Sequence, residues 1–217
     1  MLPTRKLKGP ATGLDVPVGI ALDAEQDVLY LVNSASNGAV DKAIFAFADA
    51  SSVDGDSAPS RRIEVDIPDF APLQLAWHEG TLYAGSQGDN TARILVFDNA
   101  GDLDGIVAPS RTIENAAFSQ VLSIHVDDDA LYAVDDESQL FVYESGAATP
   151  SATIDIEGAS RLSAIAFDAK GTMFLADSSA NVILSFEGGA GTGGSLPPSR
   201  TFDAVGLSLP SRMVVQN

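Results

Sequence analysis

The sequence predicts an all-β fold: a β-propeller of four complete four-stranded blades plus a partial fifth closing blade. A tripeptide of Pro, then Ser or Thr, then usually Arg recurs at intervals of roughly 40 to 50 residues, a period typical of propellers and solenoids. Between copies lie four short apolar runs bounded by Gly, Asp, Asn or Ser, as β-strands are. The copies at this interval are Pro59-Ser60-Arg61, Pro109-Ser110-Arg111, Pro150-Ser151-Ala152 and Pro198-Ser199-Arg200, and Pro3-Thr4-Arg5 opens the chain with the same tripeptide.

The runs within a repeat differ in character, and this difference orders them within a blade. The first run is the most apolar and often carries a small Ala, which suits a crowded innermost strand. The second and third runs are rich in Leu, Ile, Tyr and Phe. The fourth run is the most polar and follows Pro, which lacks a backbone N–H and is confined to edges or strand starts. The fourth strand is therefore predicted at the outer edge of each blade.

The repeat predicts one propeller domain over residues 1–217, with blades at 17–66, 67–115, 116–156 and 157–204. Residues 3–8 have the pattern of a fourth strand and 210–217 that of a first strand, so the N- and C-terminal strands are expected to form the fifth blade without two middle strands. Three interpretations stay open: the chain is a piece of a longer protein, the ring closes on two strands, or a second copy fills the gap.

Composition excludes several classes of partner. The net charge is −18 and there is no cysteine. Such a charge repels nucleic acid and anionic membrane surfaces, and no apolar stretch reaches the length of a membrane helix. Without cysteine, neither disulfides nor thiolate metal sites form. We expect an extracytoplasmic protein, periplasmic or secreted, with the cytoplasm as the alternative, and a monomer rather than a self-associating chain.

The repeat resembles a known family. The runs Pro-Val-Gly-Ile-Ala-Leu-Asp at 17–23, Asp-Val-Leu-Tyr-Leu-Val-Asn at 27–33 and Ile-Phe-Ala-Phe at 44–47 are similar to the NHL-type repeat of bacterial propellers, including secreted proteins and lipoproteins. The resemblance covers essentially the whole chain. It implies a binding scaffold, although related gluconolactonase-like propellers are metal-dependent hydrolases. The Glu, Asn and Asp metal cluster of those hydrolases does not map onto this chain.

Four residues are candidate ligand contacts. His125 occupies the repeat position that elsewhere holds Ala, and histidine is both a metal ligand and an acid–base group. Asp23, Asp127 and Asp168 recur in register at the end of the first run. Their structural interpretation is that each caps a turn. Their functional interpretation is a ring of carboxylates that holds a cation such as Ca²⁺.

The sequence supports three functional hypotheses. The first is a non-enzymatic scaffold, without a cofactor, that binds a protein or a glycan. The second is a metal-dependent hydrolase or lactonase that uses the channel, with His125 and Asp127 as participants. The third is a structural repeat module of a larger surface protein. The sequence contains neither a Gly-x-Ser-x-Gly nucleophile elbow nor a phosphate-binding loop, and this favours the first hypothesis.

Overall fold

A computed structural model describes residues 3–34, 43–65, 67, 71–87, 92–127, 129–191, 193–203, 208–213 and 215. Strands dominate these residues, and their only helical segments are the short 3₁₀ turns Pro10–Thr12 and Ala100–Asp102. In the same residues no helix is long and apolar enough to cross a membrane.

The first two sheets are built mainly from the first half of the chain. The first sheet has the order β1 (Val16–Asp23), β2 (Val28–Ser34), β3 (Ala43–Ala48), β4 (Arg61–Val65) and β8 (Gly105–Val107). The second has the order β5 (Ala71–His78), β6 (Thr81–Gln87), β7 (Arg93–Phe97) and β9 (Arg111–Glu114).

The other two sheets repeat this arrangement. The third sheet has the order β10 (Ser123–Val126), β11 (Ala130–Val134), β12 (Gln139–Glu144), β13 (Ala152–Ile156) and β17 (Gly194–Leu196). The fourth has the order β14 (Leu162–Phe167), β15 (Met173–Asp177), β16 (Val182–Phe186) and β18 (Arg200–Asp203). Each sheet is thus an antiparallel four-strand meander, and the prediction of an all-β propeller with four blades is confirmed.

Two sheets gain a fifth strand that the repeat pattern did not predict. β8 comes from the second repeat and pairs in parallel with β4, the outer strand of the first sheet. β17 comes from the fourth repeat and pairs in parallel with β13 in the same way. The connection between the third and fourth strands of one repeat therefore extends the outer edge of the preceding sheet.

The chain divides into two compact units. Unit 1 comprises residues 1–89 and 94–112, and holds the first sheet and most of the second. Unit 2 comprises residues 90–93 and 113–217, and holds the third and fourth sheets. The closing fifth blade stays a prediction. Residues 4–8 contribute one parallel bridge, between Leu7 and Gly55, and the described residues from 208 onward are not in a strand, while 214, 216 and 217 lie outside the described residues.

In unit 1 the first sheet is apolar on both faces. Successive side chains of a strand point to opposite faces. Accordingly Val28 and Tyr30 of β2 pack with Leu75 and Leu82 of the second sheet, whereas Leu31 packs on the opposite face in a smaller cluster. That cluster consists of Leu31, Ala43, Phe45 and Phe47, with Leu7, Leu14, Leu29 and Val53 at its border.

In unit 2 a comparable core joins the third and fourth sheets. Buried residues from both contribute to it, such as Leu140 and Ile154 on one side and Leu175 and Phe186 on the other.

Replacing Gly19 with Ala tests how closely the inner strands of unit 1 approach each other. A Cβ at this position would lie 3.0 Å from the Cα of Gln74 and 3.1 Å from the carbonyl oxygen of Leu73. We expect Gly19→Ala to lower the free energy of unfolding by about 1 kcal/mol, because backbone atoms cannot yield as a flexible side chain does. Chemical denaturation measures this. Ala164, at the same repeat position, is the control: Ala164→Gly is expected to lose stability too, and a Gly19→Ala protein as stable as the wild type contradicts the prediction.

Candidate functional site

His125 lies in an aromatic cluster in unit 2. Its ring stacks on Phe167 with a centroid separation of 4.7 Å and lies 6.1 Å from the ring of Tyr132. Tyr132 and Phe167 are themselves 4.7 Å apart. All three side chains are half-buried. The histidine therefore fills space between β10 and β14 while part of its ring remains accessible.

The aspartates at the ends of the first strands cap turns. Oδ1 of Asp23 accepts hydrogen bonds from the N–H groups of Glu25 at 3.0 Å and Gln26 at 2.9 Å. Oδ1 of Asp127 accepts from the N–H groups of Asp129 at 3.1 Å and Ala130 at 2.9 Å.

Asp168 makes the same kind of cap, and its hydrogen bonds affect its titration. Oδ1 accepts from the N–H groups of Lys170 at 2.9 Å and Thr172 at 2.8 Å. The hydrogen bond from Thr172 is the main cause that lowers the pKa of Asp168. The contacts of the three recurring aspartates are thus those of turn caps.

Three of the four candidate residues, His125, Asp127 and Asp168, belong to unit 2, and the fourth belongs to unit 1. Burial is the main cause that raises the pKa of the Tyr132 hydroxyl, and the charges of Asp127 and Asp129 add to it, so Asp127 acts on the same aromatic cluster as His125. Asp23 belongs to unit 1. Over the described residues, no group of three or more His, Cys, Asp or Glu side chains could hold a metal ion. The ligand-binding roles of these four residues stay predictions.

A buried polar residue lies at or next to the end of the second strand of every sheet, and sequence reasoning missed it. At this position the side chain of Asp177 is 0% exposed and that of Asp135 is 1% exposed. The signal was present in the aligned repeat, where a polar residue follows each apolar second strand. The residues are Asn33, Ser86, Asp135 and Asp177.

The contacts of Asp177 and Asn33 show what this position does. The Asp177 carboxylate accepts N–H donors from Ser160, before the first strand of its sheet, and from Ser179 and Ala180, after the second. Asn33 accepts the N–H of Asp15 at 2.8 Å and donates Nδ2–H to the carbonyl of Gly13. The residue therefore fastens the entry into the first strand to the end of the second.

Two large apolar side chains of β1 are exposed on the same face of the strand. Ile20 is 58% exposed and Leu22 is 51% exposed. They pair across the ladder with Leu31 and Leu29, so the four side chains share one face. We call these four residues the open face: Ile20, Leu22, Leu29 and Leu31.

A groove of about 350 Å³ runs along the open face. Its lining includes the apolar side chains of Leu7, Leu14, Ile20 and Leu31 and the exposed, basic Arg5 and Lys6. Sequence reasoning missed this surface. Its signal is the run Ile20-Ala21-Leu22, in which both faces of β1 carry apolar side chains.

The N-terminal residues that border the groove are fastened to the first sheet's long connection. The N–H of Lys8 donates to the carbonyl of Gly55, and the N–H of Gly55 to the carbonyl of Lys6, both at 3.0 Å. The N–H of Lys6 also donates to Oδ1 of Asp54 at 2.7 Å. This hydrogen bond is the main cause that lowers the pKa of Asp54.

Neither protein-family models nor curated protein sequences give a match to this chain. The propeller architecture therefore rests on the four sheets, and the resemblance to NHL-type repeats rests on the repeat residues themselves.

Proposed function

We propose that this chain is a non-enzymatic, NHL-like propeller scaffold that binds another protein through the open face. One observation carries the proposal: two large aliphatic side chains, Ile20 and Leu22, stand more than half exposed side by side in a chain of net charge −18. Contiguous apolar surface rimmed by polar residues marks interaction sites in soluble proteins.

The chemistry of the face favours a protein over a glycan. Its four side chains are all aliphatic, whereas sugar rings are held by aromatic faces and by networks of hydrogen bonds. The groove beside it is lined mostly by Leu, Ile, Val and Pro, with Arg5 and Lys6 as its charged residues. A polypeptide with apolar side chains on one face fits this pattern.

Location and assembly state belong to the proposal as well. The absence of cysteine and the acidic composition are compatible with a periplasmic or secreted protein that is a monomer before it meets its partner. Fractionation of the source cells and sedimentation of the purified chain measure the two properties. No observation among the described residues favours the hydrolase alternative.

The open face is tested by making it polar. Ile20→Asp combined with Leu22→Lys keeps the net charge of the chain and removes the two exposed apolar side chains. Peptides selected from a displayed random library on the wild-type protein are expected to bind this double variant at least tenfold more weakly, measured by calorimetry.

The matched control is Ile106→Asp, which removes the most exposed large apolar side chain of β8, at 73% exposure. This variant is expected to bind the same peptides as the wild type does. If the selected peptides bind the double variant and the wild type equally, the open face is not the binding surface and the proposal fails.

A further inference from the structure

We propose that the groove beside residues 4–8 accepts a β-hairpin from another polypeptide, which pairs with this segment and covers the open face. The inference rests on the proposed function, since it names the partner of the same surface. We call residues 4–8 the amino-terminal edge.

The amino-terminal edge reproduces the contacts of an outer blade strand. Arg5 aligns with Arg61, Lys6 with Arg62 and Leu7 with Ile63. Leu7 bridges Gly55 in parallel, as Ile63 pairs with Gly105.

Two side-chain contacts repeat in the same register. Nη1 of Arg5 donates to the carbonyl of Ala50 at 3.1 Å, and Nη1 of Arg61 donates to that of Ala100 at 2.7 Å. The aspartate contact is repeated too: the N–H of Lys6 donates to Asp54, and the N–H of Arg62 donates to Oδ1 of Asp104 at 3.0 Å.

An outer strand in this fold has a third strand on its other side. Ile63 of β4 pairs with Ile44 of β3, and Ile154 of β13 pairs with Leu140 of β12. Among the described residues, no strand pairs with the corresponding side of the amino-terminal edge. Its backbone groups on that side are a template for strand addition.

The groove supplies the surface on which an added hairpin would pack. A third strand beside the edge, followed by a second strand on the inner side of the third, would lie over the first sheet. The apolar side chains there are Leu7, Leu14, Ile20 and Leu31, and they match the inward-facing apolar positions of a strand pair. Main-chain pairing and apolar burial would thus act on the same occupant.

Charge favours an acidic hairpin over a second copy of this chain. Arg5, Lys6 and Lys8 are all exposed on the edge. Like charges placed opposite each other destabilise strand pairing, so two such edges repel. A strand with carboxylates near the ends of the edge is attracted instead.

The chain's own third repeat offers a probe with this chemistry. Residues 129–144 form the hairpin of β11 and β12. In the third sheet this hairpin pairs with the outer strand β13, Val142 with Ala152 and Gln139 with Asp155. In the same register on the edge, Leu140 would lie beside Leu7, Val142 beside Arg5 and Gln139 beside Lys8. Glu137 and Glu144 would then flank the two ends of the basic segment.

The first experiment titrates a labelled peptide of residues 129–144 into the purified full chain and follows anisotropy. Saturable 1:1 binding is expected. Arg5→Glu and Ile20→Asp are each expected to weaken it at least tenfold, and 0.5 M salt to weaken it several-fold. Ile106→Asp and a scrambled peptide are the controls, expected to leave the binding unchanged and to show none, respectively.

The second experiment supplies the hairpin in the same chain, because an isolated hairpin is only marginally ordered in water. Residues 129–150 are fused in front of Thr4, so that Thr4 replaces Ser151 and the connection that joins a third strand to a fourth in the third repeat keeps its length. The fusion is expected to raise Tm and to block binding of the free peptide. Unchanged Tm in the fusion overturns the proposal, and so does peptide binding that Arg5→Glu leaves intact.

Two further outcomes separate the hairpin from the broader function. If library peptides need the open face but the hairpin fails in both experiments, the hairpin is overturned and the scaffold function stands. If sedimentation shows a dimer that Ile20→Asp dissociates, a second copy is the occupant and the inference is overturned.

Discussion

Replacing Asp177 with Ala is expected to lower the free energy of unfolding by about 3 to 5 kcal/mol, because three backbone N–H groups lose their acceptor at about 1 to 3 kcal/mol each. The carboxylate is 0% exposed. It accepts three backbone N–H groups, at 2.7 Å from Ser160 and at 2.9 Å from both Ser179 and Ala180. Alanine leaves these donors without an acceptor, and chemical denaturation measures the loss.

The control for Asp177 is Asp168→Ala. Asp168 also accepts backbone N–H groups, but its turn is half exposed, so water replaces the lost acceptor. We expect this variant to lose clearly less stability than Asp177→Ala does. Equal losses at the two positions contradict the view that the buried polar residue at the end of the second strand fastens its sheet.

Replacing Asp135 with Asn is expected to have the opposite effect and to stabilise the protein above pH 7 by about 1 to 3 kcal/mol. Burial is the main cause that raises the pKa of Asp135 from 3.8 to about 6. The N–H groups of Glu137 and Gln139 oppose this rise, and the charges of Glu137 and Asp136 add to it. Asparagine at this position is neutral at every pH.

The sign follows from proton binding. Between pH 3.8 and about 6 the folded state holds the Asp135 proton and the unfolded state releases it. The stabilising contribution of this group is therefore complete below pH 3.8 and is lost as the pH rises through 6. Denaturation at pH 4 and pH 8 should show a gain from Asp135→Asn only at pH 8. A gain that does not depend on pH contradicts the assignment.

Asn33→Asp is the mirror experiment at the same repeat position. Its Nδ2–H donates to the carbonyl of Gly13 at 3.3 Å, and a carboxylate would place an oxygen against that carbonyl. We expect a loss of stability that grows as the pH rises. Together, Asp135→Asn and Asn33→Asp test whether this repeat position requires particular hydrogen-bond donors and acceptors or a particular charge.

Much of the fold could be predicted because short-range sequence patterns mark the strands of each repeat. The runs at 17–23 and 27–33, bounded by polar residues, predict strands, and the structure contains β1 (Val16–Asp23) and β2 (Val28–Ser34) there. The recurring Arg of the tripeptide has a structural role: Arg61 donates to the carbonyls of Ala100 and Leu103 in the next repeat's connection. These features follow from side-chain periodicity and from donor geometry.

The parallel strands β8 and β17 could not be predicted from the sequence. Gly105–Val107 and Gly194–Leu196 are three residues each, too short to show alternation. They become strands only because the outer edge of another sheet presents unpaired backbone groups to them. The open face was missed for a related reason: Ile20 and Leu22 resemble core residues, and exposure is a property of what packs against a strand.

The sequence alone determined that this protein consists of four similar four-stranded sheets, because strand formation and its order within a repeat depend on short-range patterns. Only the tertiary structure decided which apolar face stays uncovered and which polar residue is buried, as at Ile20 and Asp177. The outer-strand pattern of residues 3–8 was visible in the sequence, and the tertiary structure added its contacts with Gly55 and Ala50. These features depend on residues roughly 15 to 50 positions apart in the chain, whose approach local side-chain periodicity does not encode.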